Sequence, residues 1–161
     1  MSPYAKSPVL VVDDNQAARE VVGALLEYLG FEEPYMASNG QEALEKLHRN
    51  KIALIISDWN MGPMNGLELL RRVRAEYAFR ETRFILISGV ASAEHVIAAR
   101  EARANSFILK PFSAEGLKTK IADAFRNTDH VRAPAPQSRS PSADWALSSY
   151  NANFGRFPFA R

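Results

Sequence analysis

Five short apolar runs alternate along this chain with five segments whose apolar residues have helical spacing. The third run, residues 52–57, is apolar and β-branched without alternation, which is typical of a strand buried on both faces. A fivefold alternation of strand and helix predicts an α/β fold, a parallel sheet with helices on both faces and right-handed crossovers. The other predicted strands lie at residues 9–12, 34–37, 84–87 and 107–109.

The segments between the runs supply the predicted helices. In residues 16–29 the apolar side chains recur at helical spacing, with Asn15 as a candidate N-cap and Gly30 as a candidate C-terminal stop. Ser113 is a candidate cap for the last helix. The remaining helices are predicted at residues 41–49, 67–73 and 93–104.

The composition divides the chain into three parts. The alternating pattern occupies residues 7–127, which we interpret as one domain. Residues 128–144 are rich in proline and serine and predict a disordered linker. Residues 145–161 concentrate aromatic side chains, so this tail is either solvated or a docking segment for the domain itself, a second protomer or a partner.

Charge and composition exclude several classes of protein. The sequence pI is near 9.0, but residues 1–126 hold 16 basic and 16 acidic residues, so no basic face is required and no nucleic-acid partner is expected. No apolar stretch approaches a membrane span, and the first residues lack the apolar segment of a signal peptide. With no cysteine, disulfides and thiolate metal sites are excluded. We expect a soluble, cytoplasmic protein without membrane insertion.

Polar side chains follow four of the predicted strands. Asp13 and Asp14 follow the first, Asp58 the third, Ser88 the fourth and Lys110 the fifth. The carboxyl ends of parallel strands converge, and three carboxylates together need a cation, for which oxygen ligands favour Mg²⁺. A hydroxyl and an ammonium group beside them complete the surroundings of a phosphoryl group. Asp58 is the predicted nucleophile, forming an acyl phosphate.

These residues stand in four motifs, VVDDN (11–15), SDWNM (57–61), ISG (87–89) and FILKPF (107–112), and a fifth motif, MNGLELL (64–70), follows the second. In their order and spacing they resemble bacterial two-component response-regulator receiver domains, closest to stand-alone members of the CheY kind. The resemblance covers about residues 7–127. It implies a flavodoxin-like, doubly wound five-stranded sheet with strand order 2-1-3-4-5.

The resemblance implies a phosphoacceptor and a set of Mg²⁺ ligands. Asp58 matches the phosphoacceptor of these domains. Asp14 and Asp58 match direct metal ligands, Asp13 matches a ligand through water, and the backbone carbonyl of Asn60 matches a further ligand.

The resemblance also implies a switch. Ser88 matches the switch hydroxyl, Lys110 the phosphate-binding lysine, and Phe107 the aromatic residue that turns inward when the hydroxyl moves to the phosphate. The Lys110–Pro111 peptide bond is expected to be cis, which would aim the lysine.

Three positions depart from the usual receiver pattern. Gly62 stands where proline is common, with Pro63 one position later, and Asn65 stands where aspartate precedes the glycine of the loop. These two changes bear on loop stiffness and on the carbonyl of Asn60. Phe107 lacks the hydroxyl that a tyrosine would carry there.

The family implies partners instead of a small-molecule substrate. A histidine kinase or a histidine phosphotransfer protein would donate the phosphoryl group, and the domain would catalyse its own phosphorylation and dephosphorylation. An unidentified protein target would recognise the face formed by the fourth helix, fifth strand and fifth helix, and that face or the tail is a candidate contact for a homodimer. His48, His95 and His130 are scattered and polar-facing, and we assign them no role.

Other functions compete with this interpretation. An aspartate-nucleophile phosphatase typically needs an acid two residues after its nucleophile, and Asn60 stands there. A transcription factor would need its DNA-binding domain within the 34 residues after residue 127, which contain no helix-turn-helix pattern. The third alternative is a scaffold that never uses phosphate, which the full set of acidic, hydroxyl and lysine residues disfavours.

The composition of residues 133–161 generates the first prediction. Because this segment begins with a proline- and serine-rich stretch that has little to bury, its deletion should leave the domain folded. Thermal unfolding of the shortened protein, followed by circular dichroism, should remain a single cooperative transition. Loss of that cooperativity would show that the tail belongs to the core.

Overall fold

Strand and helix alternate five times along residues 2–127, the part of the chain that the computed structural model describes. The strands are β1 (Val9–Val12), β2 (Tyr35–Ala37), β3 (Leu54–Asp58), β4 (Arg83–Ser88) and β5 (Ser106–Leu109). The helices are α1 (Gln16–Tyr28), α2 (Gly40–Arg49), α3 (Gly66–Ala75), α4 (Ala93–Glu101) and α5 (Ala114–Arg126).

The five strands form one parallel sheet in the order β2-β1-β3-β4-β5. The central strand β3 pairs with β1 through Val12 and Ser57 and with β4 through Asp58 and Ile87. All side chains of β1 and β3 are buried, as their unbroken apolar runs indicated. The predicted fold class and strand order are therefore confirmed.

Each face of the sheet is covered by helices, so the hydrophobic core has two layers. Successive residues of a strand point to opposite faces, and Leu10 and Ile55 pack with α2, α3 and α4, whereas Val11 and Ile56 pack with α1 and α5. Both layers contain fully buried side chains, such as Leu70 on the first face and Leu117 on the second. The sheet thus holds the strand ends at fixed positions.

The helices begin where short polar side chains can accept backbone N–H groups. Within the described residues all five helices have such an N-cap, Asn15, Asn39, Asn65, Ser92 and Ser113. The predicted caps Asn15 and Ser113 are confirmed, and Gly30 follows α1 with a φ of 87°, as expected for a glycine stop.

Helix α4 is shorter than its sequence pattern predicts. It ends at Glu101, three residues before the predicted end, because Arg103 adopts a left-handed conformation with a φ of 63°. A residue with a Cβ is disfavoured in that conformation by roughly 1–2 kcal/mol. The guanidinium group of Arg74 donates to the Arg103 carbonyl from Nε at 3.1 Å and from Nη2 at 3.0 Å, which holds this turn in place.

Arg74 is a buried arginine that joins three segments at the amino ends of β4 and β5. Besides Arg103, it donates to the carbonyl of Thr82 (2.7 Å) and to Oδ1 of Asn105 (2.8 Å). The same Asn105 oxygen accepts the N–H of Phe84 at 2.8 Å. Desolvation, followed by the charge of Arg103, lowers the pKa of Arg74 to about 10, so the group stays charged at neutral pH.

The predicted linker (128–144) and aromatic tail (145–161) lie outside the described residues. Among residues 2–127 there is no helix with both the length and the apolar character required to cross a membrane.

The contacts of Arg74 predict a large effect on stability. Arg74→Met should lower the free energy of unfolding by about 2–4 kcal/mol, because three acceptors lose a charged donor in a buried place. Arg72→Met on the exposed side of the same helix should change it by less than about 0.5 kcal/mol. Urea unfolding followed by circular dichroism measures both variants. Equal losses in the two would contradict the role given to Arg74.

Candidate functional site

Charged side chains from three strands meet at the carboxyl edge of the sheet. Asp13 follows β1, Asp58 ends β3, and Lys110 follows β5. Lys110 Nζ lies 2.7 Å from Oδ1 of Asp58 and 3.8 Å from Oδ2 of Asp13. Both aspartates are buried, while 40% of the surface of the lysine side chain is exposed. One ammonium group therefore faces two buried carboxylates.

The pKa of Asp13 indicates that negative charge at this edge is only partly compensated. Burial is the main cause that raises the pKa of Asp13, and the negative charges of Asp58 and Asp14 raise it further. The N–H of Asn15, which donates to Oδ1 at 2.9 Å, and the charge of Lys110 act in the opposite direction without compensating fully. A further cation at this edge would relieve the imbalance.

The loop after β3 is held close to Asp58 by a glycine. A Cβ on Gly66 would collide with the backbone carbonyl oxygen of Asp58, so only glycine allows α3 to begin there. The N–H of Gly66 donates to the carbonyl of Trp59 at 2.9 Å, and the N–H of Trp59 donates to the carbonyl of Ile87 at 2.8 Å. These contacts fix the backbone on both sides of the loop.

The two departures in this loop have clear structural outcomes. Asn65 accepts the N–H of Glu68 at 2.9 Å, and the Glu68 carboxylate accepts the N–H of Asn65 at 2.9 Å, which completes a capping box. Asparagine thus replaces aspartate as the cap of α3. The Gly62–Pro63 peptide bond is cis.

Ser88 ends β4 beside the acidic edge. Its side chain is buried, and its Oγ accepts the N–H of Val90 at 3.1 Å and lies 3.2 Å from the Val90 carbonyl oxygen. The carbonyl of Ser88 accepts the N–H of Lys110 at 2.9 Å, so the hydroxyl-bearing residue and the lysine are joined through the backbone.

The other predicted site residues lie in the loops and strands next to Asp13, Asp58 and Lys110. Asp14 and Asn60 are exposed, at the start of the loops that follow β1 and β3. Phe107 is fully buried, with its ring at 75° to that of Trp59 and a centroid distance of 6.3 Å. The Lys110–Pro111 peptide bond is cis.

The donor set at this edge fits Mg²⁺. Among residues 2–127, no three acidic, histidine or cysteine side chains are grouped closely enough to form a complete protein ligand set. Mg²⁺ usually binds through one or two carboxylates and keeps several waters, so a complete set is not required. Asp13 and Asp58 are two buried carboxylates, with Asp14 close enough to raise the pKa of Asp13, and this number of carboxylates is compatible with that mode of binding.

Two residues near the site were missed from the sequence. His95, to which we assigned no role, lies with its ring stacked on Trp59 at a centroid distance of 4.1 Å and its Nδ1 3.4 Å from Ser88 Oγ. Arg19 donates to the carbonyl of Asp13 at 2.6 Å. Arg19 and His95 lie within a few residues of Asp13 and Ser88 in the chain, but the sequence alone does not show which way their side chains turn, and Trp59 is distant from His95.

Comparisons with known proteins identify the family of this chain. The family model of the response regulator receiver domain matches residues 9–122. The chemotaxis protein CheY1 of Helicobacter pylori strain J99 is 41% identical over 114 residues, which cover 70% of this chain and 92% of the relative. The chemotaxis protein CheY of Pseudomonas aeruginosa is 35% identical over 121 residues, covering 75% and 98%.

Solved structures resemble the fold as well. The chemotaxis protein CheY4 of Vibrio cholerae superposes with a TM-score of 0.70 at 31% identity, covering 74% of this chain and 99% of that one. A response regulator receiver protein of Pseudomonas putida gives a TM-score of 0.66 at 31% identity, covering 76% and 98%.

The raised pKa of Asp13 predicts how this residue affects stability. The folded state binds the Asp13 proton more tightly than the unfolded state, so ionisation of Asp13 lowers stability above its raised pKa. In EDTA at pH 7, Asp13→Asn should therefore melt at a higher temperature than the wild type. The difference should shrink as the pH falls through the raised pKa toward the ordinary value of 3.8.

Thermal unfolding between pH 7 and pH 4 tests this expectation, with Asp123→Asn on α5 as the matched control. Added Mg²⁺ should stabilise the wild type more than Asp13→Asn. A variant that is less stable than the wild type in EDTA at pH 7 would contradict the argument.

Proposed function

Because this chain belongs to the response regulator receiver domain family, we propose that it is a signalling module switched by phosphorylation of Asp58. CheY-type receivers act in two-component signalling, and the chain contains such a domain. The observation that carries the proposal is the contact of 2.7 Å between Lys110 Nζ and Asp58 Oδ1, beside the buried carboxylate of Asp13.

The proposed reaction is transfer of a phosphoryl group from a phosphorylated histidine to Asp58. An oxygen of the Asp58 carboxylate attacks phosphorus, the bond from phosphorus to the donor nitrogen breaks, and the electron pair leaves with the imidazole. Lys110 already neutralises the attacking carboxylate, and the same ammonium group stabilises a phosphoryl oxygen after transfer. The side chains at the edge thus position and neutralise, which is most of what phosphoryl transfer requires.

We propose Asp13, Asp14, Asp58 and the backbone carbonyl of Asn60 as the residues that hold Mg²⁺. When bound, the ion supplies positive charge that offsets the carboxylate and phosphoryl oxygens. The buried position and raised pKa of Asp13 support this assignment, because the protein alone leaves excess negative charge there.

The surface next to the site suits a protein donor. A groove between α1 and the residues after β5 is lined by Asp13 and Lys110 and by apolar side chains such as Val21, Leu25 and Phe112. Val21 keeps 59% of its surface exposed. A histidine kinase or histidine phosphotransfer protein that covers this groove would bring its phosphorylated histidine over Asp58.

The proposed output runs through Ser88 toward α4. In the resting arrangement Ser88 Oγ is held by Val90 and lies beside His95 of α4. If the hydroxyl turns to a phosphoryl group on Asp58, those contacts break. The face of α4, β5 and α5, with Phe107 behind it, would then change its affinity for a protein target.

A phosphatase acting on external substrates is less well supported. Asn60, two residues after Asp58, is exposed at the edge and cannot protonate a leaving group. We therefore assign phosphotransfer and dephosphorylation at Asp58 alone.

Asp58→Asn should abolish labelling by radioactive acetyl phosphate, because an amide is not a nucleophile toward phosphorus. Asp123→Asn, the same chemical change on α5, should label like the wild type. EDTA should suppress labelling of the wild type, and added Mg²⁺ should restore it. Label that persists in Asp58→Asn, identified by mass spectrometry on another residue, would overturn the assignment.

A further inference from the structure

The first turn of α4 carries a histidine that contacts both sides of the proposed switch. The His95 ring lies parallel to the Trp59 indole, with an interplanar angle of 6° and a centroid distance of 4.1 Å. Its Nδ1 lies 3.4 Å from Ser88 Oγ, at the long end of hydrogen-bonding distance. No other histidine among residues 2–127 approaches this edge, since His48 lies against Phe79 and Glu76.

The local structure fixes where His95 can reach. Ser92 caps α4 by accepting the N–H of His95 at 3.1 Å, which sets the backbone from which the imidazole projects. On the other side, Trp59 is buried directly after Asp58, and its N–H donates to the carbonyl of Ile87. The imidazole therefore joins α4 to the residue that adjoins the proposed phosphoacceptor.

The Ser88 hydroxyl has one proton and several neighbours. Its oxygen accepts the N–H of Val90, and in one ring tautomer of His95 its proton can be donated either to the Val90 carbonyl oxygen or to Nδ1. In the other ring tautomer, Nδ1–H donates to Ser88 Oγ and the hydroxyl donates to Val90. In both arrangements His95 favours the resting orientation of the hydroxyl.

We propose that His95 is a positioning residue that holds the Ser88 hydroxyl in its resting orientation and so opposes the phosphorylated state. The proposal rests on the proposed function of Asp58 and Ser88. Each phosphorylation event has to release the contact at Nδ1, so its loss makes the switched state easier to reach. The stack on Trp59 sets the ring plane, and Nδ1 carries the effect on the switch.

A space-filling role for His95 makes the opposite prediction for two matched variants. His95→Phe keeps an aromatic ring against Trp59 but removes Nδ1, whereas His95→Asn keeps a polar atom at the δ position but removes the ring. If Nδ1 is the active group, the phenylalanine variant is altered and the asparagine variant resembles the wild type. If the ring only fills space, the order is reversed.

The measurement is the acetyl phosphate concentration that gives half-maximal phosphorylation in saturating Mg²⁺. We expect His95→Phe to lower it about two- to fivefold, the range for one modest hydrogen bond, and His95→Asn to leave it near the wild-type value. In a Ser88→Ala background, proteins with His95 and with His95→Phe should need the same acetyl phosphate concentration, because the hydroxyl that Nδ1 holds is absent. An unchanged phenylalanine variant, a shifted asparagine variant, or an effect that persists without Ser88 would each overturn the proposal.

A second measurement needs no phosphorylation and separates this proposal from the function on which it rests. In the resting protein, the NMR shift of His95 Nδ1 should differ between the wild type and Ser88→Ala, since only the wild type has the hydroxyl partner. The fluorescence of Trp59, in a Trp145→Phe background, should change in His95→Asn and stay closer to the wild type in His95→Phe. Failure of the wild type to label would refute the proposed function alone, whereas an identical Nδ1 shift in both proteins would refute the contact.

Discussion

The molecule is organised around two carboxylates that are buried side by side at one edge of a parallel sheet. Burial and the nearby negative charges both destabilise the ionised form of Asp13, so the pKa of this carboxyl group is raised. Lys110 offsets part of this negative charge. It follows β5 at the same edge, and its Nζ lies 2.7 Å from Asp58 and 3.8 Å from Asp13. This arrangement depends on the strand order, since β1 and β3 must be neighbours to bring the two acids together. An edge with excess negative charge is consistent with the proposed cation and phosphoryl group.

The opposite edge of the sheet has the reverse character. There a single buried cation, Arg74, finds three acceptors that its planar guanidinium group matches, and it joins α3, the start of β4 and the turn before β5. Every donor distance is 3.1 Å or less, and the acceptors include the carbonyl of Arg103 in its left-handed turn. At that end the hydrogen-bonding groups are paired, although burial and the charge of Arg103 still lower the pKa of Arg74. In α/β domains ligands bind at the carboxyl edge, so the hydrogen bonds of Arg74 lie at the edge opposite the proposed site.

The sequence was sufficient for the elements that depend on local pattern and insufficient for contacts between distant residues. The buried strands were predicted because an unbroken apolar run has few other interpretations, and the order of the sheet came from the family resemblance. The end of α4 was placed too late because Arg103 has no local feature of a helix stop, and its conformation depends on Arg74, 29 residues away in the chain. His95 looked like an isolated polar residue because Trp59 becomes its stacking partner only after β3 and α4 are assembled. Asp13 and Asp14 are equivalent in sequence, yet the fold buries the first and exposes the second. The roles of the site residues stay predictions.

The contacts around Ser88 differ in kind from those around Arg74, and this difference suits a switch. Ser88 Oγ is held by one backbone N–H at 3.1 Å and by two alternative partners at 3.2 and 3.4 Å, distances that indicate hydrogen bonds of modest strength. A ligand can shift an equilibrium only by as much as it favours one state over the other, so the resting contacts must be weak enough for one new charged partner to replace them. A phosphoryl oxygen offers such a partner, since hydrogen bonds to charged groups are about twice as strong as neutral ones. A serine with as many short hydrogen bonds as Arg74 would not exchange them for a bond to a phosphoryl oxygen. A serine without resting partners would have no defined resting orientation.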